Sequence, residues 1–408
     1  MSIIKPFRAL RPAPEKAGQV SCVPYDVPYE SEVRDIIQKN PLSFLHVTRS
    51  EAEFAEGENP DKAAIVHRAK VNLQRFIDNG TLSAEAEPSL YVYRLATDSQ
   101  VQTGIVVCAS LDEYKHGLIK KHEKTRPDKV EDRTSHMLAL RAQTGLIFLA
   151  FHGTDQIRDL IEKTTAGEPL YDFACDNDVR QTVWRVERAD EAVEAFADVA
   201  ALYIADGHHR AESAFRARET LKAANPDHTG NEDYNFVVAG IFPAEDLRIM
   251  AYNRVVKDLN GLSVDEFLTG LKNSFTVTGD GVKYPSSRGN FSMYLGDKWY
   301  TLTFTEGFAQ DADPRERLDV SILQKRILEP ILAIGDPRTD SRIAFVGGAR
   351  GAEELEKLVD EGEMAVAFSL FPTMMEDLFA VSDAGEIMPP KSTWFEPKLK
   401  DGLFVHLI

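Results

Sequence analysis

Cysteine is scarce in this chain: 3 of its 408 residues are cysteine. Cys22, Cys108 and Cys175 are scattered and form no C-x-x-C pair. This argues against a disulfide framework or a cysteine zinc site, and it fits a reducing compartment. Apolar runs such as residues 146–151 are too short to span a bilayer, and the first residues lack the apolar segment of a signal peptide. We therefore expect a cytoplasmic protein with no membrane partner.

Basic residues are also few relative to acidic ones. The sequence has 65 acidic and 47 basic residues, which gives a net charge of −18 at pH 7. Nucleic acids and anionic membranes attract basic surfaces, so we expect no nucleic-acid partner. A small anion in a local basic pocket remains compatible with this balance.

Several catalytic signatures are missing. The chain has no G-x-x-x-x-G-K-S/T motif, no G-x-S-x-G motif and no H-R-D set, which argues against P-loop NTPases, α/β-hydrolases and protein kinases. Residues 347–351 are glycine-rich but lack the G-x-G spacing of a dinucleotide site. Composition is otherwise that of a globular protein, with 43% hydrophobic and 27% charged residues.

The clearest structural pattern is a strand, a turn, a helix and a second strand. Residues 202–205 read as a buried strand, 206–210 as a sharp turn, 211–224 as a helix and 235–242 as a strand. This order predicts a mixed α/β fold.

The length suggests two or three domains. A boundary is predicted near residue 260. It separates an N-terminal and central α/β region (1–260) from a C-terminal α/β region (261–408), whose apolar tail is expected to dock back on the core.

The turn at 206–210 (Asp-Gly-His-His-Arg) carries the strongest chemical signal. A helix amino terminus presents unsatisfied N–H groups and the positive end of the helix dipole, so it favours anions. Gly207 permits a close approach, Arg210 suits phosphate, and His208 and His209 offer donors or acid–base capacity. Asp206 could hold Mg²⁺ or accept a substrate proton. The alternative is that Asp206 caps the helix and both histidines face solvent.

Two other clusters are candidate site elements. His122, Glu123 and Arg133 belong to a polar segment of mixed charge, typical of a functional loop but equally of an ordinary solvated one. Tyr25 and Asp26 place a carboxylate among apolar neighbours, where it could act as a base, or where Asp26 could simply stabilise a turn.

Further basic and hydroxyl side chains could bind phosphate. Arg8 and Arg11 lie upstream of the Tyr25-Asp26 pair. Near the carboxyl terminus, a lysine is followed by two hydroxyl residues, and an arginine after a predicted strand is a weaker candidate. These residues are Lys391, Ser392, Thr393 and Arg254. The aromatic residues that follow Thr393 favour core packing as the alternative.

Taken together, these motifs resemble a widespread family of uncharacterised prokaryotic proteins, a domain of unknown function, along essentially the whole chain. The segments that carry the resemblance are residues 4–12 (IKPFRALRP), 24–27 (PYDV), 122–125 with 132–133 (HEKT and DR), 205–210 (ADGHHR) and 388–393 (MPPKST).

The turn also resembles, more distantly, the phosphate-binding turn of the ParB/sulfiredoxin-like fold, which includes free-serine kinases. The resemblance implies a ParB/sulfiredoxin-like core, with Asp206 at the metal or the hydroxyl and His208, His209 and Arg210 on phosphate. It also implies an N-terminal carboxylate as base, for which Asp26 is the first choice and Glu123 the second. Where sulfiredoxin has a cysteine this chain has His208, so sulfinic-acid reduction is not expected.

The function predicted from these features is Mg²⁺-dependent phosphotransfer. The donor would be a nucleotide (ADP or ATP) or pyrophosphate, and the acceptor a small hydroxylated metabolite such as free serine. Two alternatives remain open: hydrolysis of a phosphomonoester such as phosphoserine, and a non-catalytic nucleotide-binding sensor or scaffold.

Overall fold

A computed structural model describes residues 2–175, 178–308 and 313–408. Within them the chain forms two compact units. The first comprises Met1–Leu247 and Pro397–Ile408, and the second is Arg248–Glu396. The domain division near residue 260 stays a prediction.

Helices and strands are numbered in chain order over the described residues. The helices are α1 (Ala17–Val20), α2 (Glu30–Lys39), α3 (Leu45–Thr48), α4 (Lys62–Asp78), α5 (Leu111–Lys115), α6 (Pro127–Leu140), α7 (Asp155–Thr165), α8 (Ala189–Ala197), α9 (His208–Ala224), α10 (Val264–Leu271), α11 (Asp319–Leu323), α12 (Gly351–Asp360) and α13 (Met375–Asp383). The strands are β1 (Ile4–Lys5), β2 (Ala9–Pro12), β3 (Leu82–Ala84), β4 (Tyr91–Ala96), β5 (Val101–Ser110), β6 (Ile119–Lys120), β7 (Ala142–Gln143), β8 (Ile147–Phe151), β9 (Tyr171–Ala174), β10 (Arg180–Arg185), β11 (Leu202–Asp206), β12 (Phe236–Pro243), β13 (Ile249–Met250), β14 (Tyr252–Val256), β15 (Phe275–Gly279), β16 (Asn290–Leu295), β17 (Lys298–Phe304), β18 (Ile343–Gly347), β19 (Val366–Leu370), β20 (Trp394–Phe395) and β21 (Val405–Leu407).

The first unit is built on a large mixed sheet. Among the described residues it has nine strands, in the order β6-β11-β8-β12-β5-β4-β10-β9, with β1 also pairing with β5. The β6–β11 and β8–β12 pairs are parallel and the others antiparallel. Helices cover the sheet through a buried apolar cluster that includes residues of α7, α8 and α9. The prediction of a mixed α/β fold is confirmed.

Three chain segments meet at one edge of this sheet because of strand direction. Strands β6 and β11 run parallel, so their carboxyl ends lie on the same side. Strand β8 runs antiparallel to β11, so its amino end lies there too. The loop after β6, the turn after β11 and the segment before β8 are therefore neighbours.

The last residues of the chain complete a second, smaller sheet of the first unit. Strand β21 lies between β2 and β7, in the order β3-β2-β21-β7. Just before it, Phe404 packs its ring 4.9 Å from Tyr91 and 6.1 Å from Tyr93 (centroid distances). Aromatic burial of this kind contributes strongly to stability.

The second unit has an antiparallel sheet in the order β15-β17-β16-β19-β14-β18. Helix α12 packs on it through Ala352 and Leu355, which join a buried cluster with Val255 and Ala367. No helix in the described part of the chain has the length and apolar character needed to cross a membrane.

We predict that Phe404→Ala lowers the free energy of unfolding of the full chain by about 3–5 kcal/mol, because it opens a cavity beneath Tyr91. Urea denaturation measures the loss. The matched control is Leu407→Ala, whose side chain is 38% exposed and whose truncation should change stability by less than about 1 kcal/mol. Equal losses for the two variants would contradict a packed tail.

Candidate active site

The site begins with an irregularity at the end of β11. The pairing of β11 with β8 shifts register between Ile204 and Asp206. A bulge of this kind turns the side chains that follow it in a new direction and is common beside functional sites. Asp206 follows the bulge, at the edge where the three segments meet.

Gly207 makes the turn from strand to helix within one residue. Its φ of 95° lies in the left-handed region, which glycine adopts without strain. A Cβ at this position would stand 3.1 Å from Nε of Arg210. Helix α9 therefore begins at His208 rather than after Arg210 as predicted, and the two histidines and the arginine form its first turn.

Arg210 is 5% exposed and fixed by two acceptors. Its guanidinium donates to Oδ2 of Asp206 at 2.8 Å and to the carbonyl oxygen of Leu146, just before β8, at 2.5 Å. Burial opposes its charge, but the carboxylates of Asp206, Asp26 and Asp401 outweigh that effect and raise the pKa of Arg210. The guanidinium is thus a permanent, positioned cation.

Asp206 faces a second cation, Lys398. The Nζ atom of Lys398 lies 3.6 Å from Oδ1 of Asp206, while Arg210 binds the other oxygen. Burial alone would raise the pKa of Asp206, but Lys398, Arg210 and His208 lower it to about 2. Sequence reasoning missed Lys398, which lies in the returning tail and belongs to no recognised motif.

His208 and His209 hold the loop that follows β6. Nε2 of His208 accepts from the backbone N–H of His122 at 3.4 Å, and Nε2 of His209 accepts from the backbone N–H of Arg126 at 3.0 Å. Each nitrogen that accepts must be unprotonated. These imidazoles therefore fix residues 122–126 against the first turn of α9, and His208 is buried rather than facing solvent.

The same contacts bring the second cluster to the turn. The rings of His122 and His208 are 4.5 Å apart in an edge-to-face arrangement. The carboxylate of Glu123 lies 3.8 Å from Nδ1 of His208. Burial lowers the pKa of His122 to about 4, and burial together with His122 lowers the pKa of His208 well below its ordinary value.

Tyr25 and Asp26 also act on the turn. The Val27 N–H donates to the Pro24 carbonyl at 3.1 Å and closes a turn that leaves Asp26 exposed. The guanidinium of Arg133, on α6, lies 4.5 Å from the Tyr25 ring centroid. Burial and the neighbouring Asp26 raise the pKa of Tyr25 to about 12.

A buried carboxyl group that belongs to no recognised motif completes the site. Asp401 is 2% exposed, and its Oδ1 lies 3.9 Å from a guanidinium nitrogen of Arg210. Like Lys398, it is supplied by the returning tail.

Two predicted phosphate ligands of the first unit have other surroundings. Arg8 is exposed between β1 and β2. Arg11 pairs with Glu85 and donates to the hydroxyl of Tyr171 at 3.0 Å. Phosphate binding by these arginines stays a prediction.

The remaining candidates belong to the second unit. Arg254 is buried and donates to the carbonyl oxygens of Pro390 and Lys391 at 3.1 and 3.0 Å, so it shapes the loop that holds Ser392 and Thr393. Burial lowers the pKa of Arg254 to about 9. Lys391 is exposed, and its ammonium lies 5.5 Å from the centroid of the Tyr252 ring.

Two further contacts hold that loop. The Ser392 hydroxyl donates to the Pro389 carbonyl at 2.6 Å, and the Ser392 carbonyl accepts from the Thr373 hydroxyl at 2.8 Å. The Ser392 hydroxyl thus stabilises the loop itself. Phosphate binding by Lys391, Ser392 and Thr393 stays a prediction.

Few side chains of the described residues are placed to bind a metal ion together. Within the described residues, no three His, Cys, Asp or Glu side chains group to hold an ion. The Asp206 side chain is 32% exposed and offers one carboxylate. Mg²⁺ is commonly bound by one or two carboxylates together with substrate phosphates, so Asp206 suits an ion that arrives with a nucleotide.

A family model described as "Protein of unknown function (DUF1015)" matches residues 4–321. The chain belongs to this family. No curated protein matches this DUF1015 member.

The distant similarities to solved structures include the following three. A free serine kinase mutant in complex with AMP is 15% identical, with coverage of 73% of this chain and 92% of the kinase and a TM-score of 0.37. SbnI with a C-terminal truncation from Staphylococcus aureus is 13% identical, with coverage of 74% and 87% and a TM-score of 0.39. A conserved hypothetical protein from Pyrococcus furiosus is 17% identical, with coverage of 74% and 95% and a TM-score of 0.36.

We predict that the buried histidines destabilise the protein in acid. His122 has a pKa of about 4 when folded and about 6.5 when unfolded. Only the unfolded chain binds its proton between these values, so this contribution to stability is present above pH 6.5 and is lost as pH falls toward 4. His122→Gln should therefore reduce the slope of unfolding free energy against pH in this window by up to about 1.4 kcal/mol per pH unit.

Urea denaturation at several pH values measures this slope. The exposed His67 provides the control His67→Gln, which should leave the slope unchanged. A slope for His122→Gln equal to that of the wild-type chain would show that His122 is not held neutral.

Proposed function

We propose that this chain is a phosphate-handling enzyme. It transfers a phosphoryl group from a nucleotide or pyrophosphate to a small hydroxylated metabolite such as free serine, with Mg²⁺ accompanying the phosphates. The observation that carries the proposal is the cluster of Asp206, Arg210 and Lys398 at the amino terminus of the 17-residue helix α9.

The cluster supports anion binding in three ways. The first N–H groups of α9 and its dipole favour a negative ligand. Arg210 is held rigid by Asp206 and Leu146, so little conformational entropy is lost when a phosphate binds. Two cations, Arg210 and Lys398, face the carboxylate of Asp206 from its two oxygens, and they are the groups that would attract a phosphate within a chain of net charge −18.

The two candidate bases, Asp26 and Glu123, both interact electrostatically with residues of the turn. Asp26 is exposed and acts on Arg210, and Glu123 is 3.8 Å from Nδ1 of His208. Either carboxylate would take the proton of the substrate hydroxyl as that oxygen forms a bond to phosphorus. The bond from phosphorus to the donor's bridging oxygen then breaks, and the donor leaves with one phosphoryl group fewer.

Asp206 is the residue that would hold Mg²⁺, and the ion would neutralise charge on the phosphoryl oxygens. Arg210 and Lys398 would orient those oxygens, and the loop fixed by His208 and His209 would place Glu123 beside them.

The first experiment is a thermal-shift screen of the full chain. With Mg²⁺ present, the ligands are ADP, ATP, CTP, pyrophosphate, serine and phosphoserine. A ligand at about 100 times its Kd stabilises the folded chain by about 2.7 kcal/mol, which raises Tm measurably. Ligands that bind are then assayed for turnover. Phosphate release without an acceptor would indicate hydrolysis, and binding without turnover would indicate a sensor. No shift with any phosphate ligand would overturn the proposal.

We predict that Arg210→Lys weakens binding of pyrophosphate by about tenfold or more, because lysine keeps the charge but loses the planar fork. Isothermal titration calorimetry measures Kd. The matched control is Arg216→Lys on the same helix, where the half-exposed Arg216 pairs with Glu212. We expect no change in that control. Equal Kd values for both variants and the wild-type chain would remove Arg210 from the binding site.

We predict that Asp26→Asn lowers kcat by about 100-fold or more with little change in KM, as loss of a general base requires. Glu123→Gln tests the second choice under the same conditions. Kinetics on the substrate pair identified in the screen decide between them. If both variants retain wild-type kcat, neither carboxylate is the base.

A further inference from the structure

Asp401 is tied to the segment that carries Tyr25 and Asp26. The backbone N–H of Asp401 donates to the Cys22 carbonyl at 2.9 Å, and the Cys22 N–H donates to the Asp401 carbonyl at 3.1 Å. Asp401 is therefore held beside the segment that leads into the turn at residues 24–27, and its Oδ1 lies 3.9 Å from the guanidinium of Arg210.

One oxygen of this carboxyl group is buried and lacks a hydrogen bond. Among the described residues, Oδ1 of Asp401 has no hydrogen-bond partner, and the nearest cation is the Arg210 nitrogen 3.9 Å away. That nitrogen donates instead to the Leu146 carbonyl. A buried carboxylate that is incompletely paired is costly, so its protonated form is favoured.

The backbone before β8 leaves room for this oxygen only at a glycine. A Cβ on Gly145 would stand 2.3 Å from Oδ1 of Asp401. The next residue, Leu146, accepts from Arg210. Gly145 and Leu146 thus place the Asp401 carboxyl group and the Arg210 guanidinium next to each other.

The charges around Asp401 come from several elements. Burial raises its pKa to about 7, Asp26 adds to that rise, and Arg210, a hydrogen bond from the Tyr25 backbone and Arg133 oppose it. The titratable and charged groups that interact with it are Cys22, Tyr25, Asp26, Tyr93, Arg133 and Arg210. Its neighbour in the chain, Lys400, acts on Cys22.

We propose that Asp401 is a positioning residue that controls the charge available at Arg210, and that its ionisation weakens anion binding at the turn. The inference rests on the proposed function, since it concerns the same phosphate site. When Asp401 is protonated, Asp206 is the one carboxylate bonded to Arg210. When Asp401 ionises, a second negative charge faces the guanidinium and opposes a phosphate.

The test compares the full-length wild-type chain with Asp401→Asn. Isothermal titration calorimetry gives Kd for pyrophosphate at about pH 5.5 and about pH 8.5, which bracket the pKa of Asp401 of about 7. The ligand and the histidines titrate equally in both proteins, so their effects cancel in the ratio of the wild-type Kd to the Asp401→Asn Kd. We expect a ratio near one at the lower pH and about tenfold weaker binding by the wild-type chain at the higher pH.

Two controls separate this role from a structural one. Glu113→Gln removes another buried carboxyl group with a raised pKa, whose oxygen accepts from the Ile3 backbone, and it should leave the pH dependence unchanged. If Asp401→Asn does not fold, Asp401→Ser, which is neutral and smaller, takes its place. Melting temperatures establish that each variant is folded.

The outcomes are distinct. The proposal is supported if the ratio of the wild-type Kd to the variant Kd rises with pH for Asp401→Asn but not for Glu113→Gln. A ratio that is constant with pH overturns the role of Asp401 and leaves the proposed function standing. Absence of pyrophosphate binding in every protein at both pH values overturns the proposed function, and the role of Asp401 with it.

Discussion

A buried guanidinium must be paired, and the surroundings of Arg210 are organised by that requirement. The bulge after Ile204 places Asp206 on one side of it, and the backbone before β8 supplies a carbonyl on another. Gly207 turns the chain so tightly that a Cβ there would stand only 3.1 Å from the same guanidinium. The fold thus fixes a cation at a helix amino terminus, and the proposed chemistry depends on that cation.

Strand direction explains how distant parts of the sequence reach this cation. Parallel strands β6 and β11 end at the same edge, and antiparallel β8 begins there. The tail then adds Lys398 and Asp401 from nearly two hundred positions along the chain. The turn after β11 contributes most of the side chains, the loop after β6 and the tail add others, and the segment before β8 adds a backbone carbonyl.

The sequence predicted the mixed α/β fold, membership of an uncharacterised family, and the local grouping of Asp206 with Arg210, because these depend on short-range patterns. It did not indicate Lys398 or Asp401, since a tail that pairs with residues far away carries no local motif. The roles assigned to individual site residues stay predictions.

The interleaving of the first unit has a consequence for biosynthesis. Domains generally fold as units while the chain is still being made. Here the strand between β2 and β7 comes from Val405–Leu407, so the smaller sheet lacks a central strand until these residues have left the ribosome. The whole second unit is synthesised while the first waits for that strand. A nascent chain that lacks the returning tail would therefore hold the Asp-Gly-His-His-Arg turn without Lys398, and the cluster of Asp206, Arg210 and Lys398 would form only after that segment has emerged.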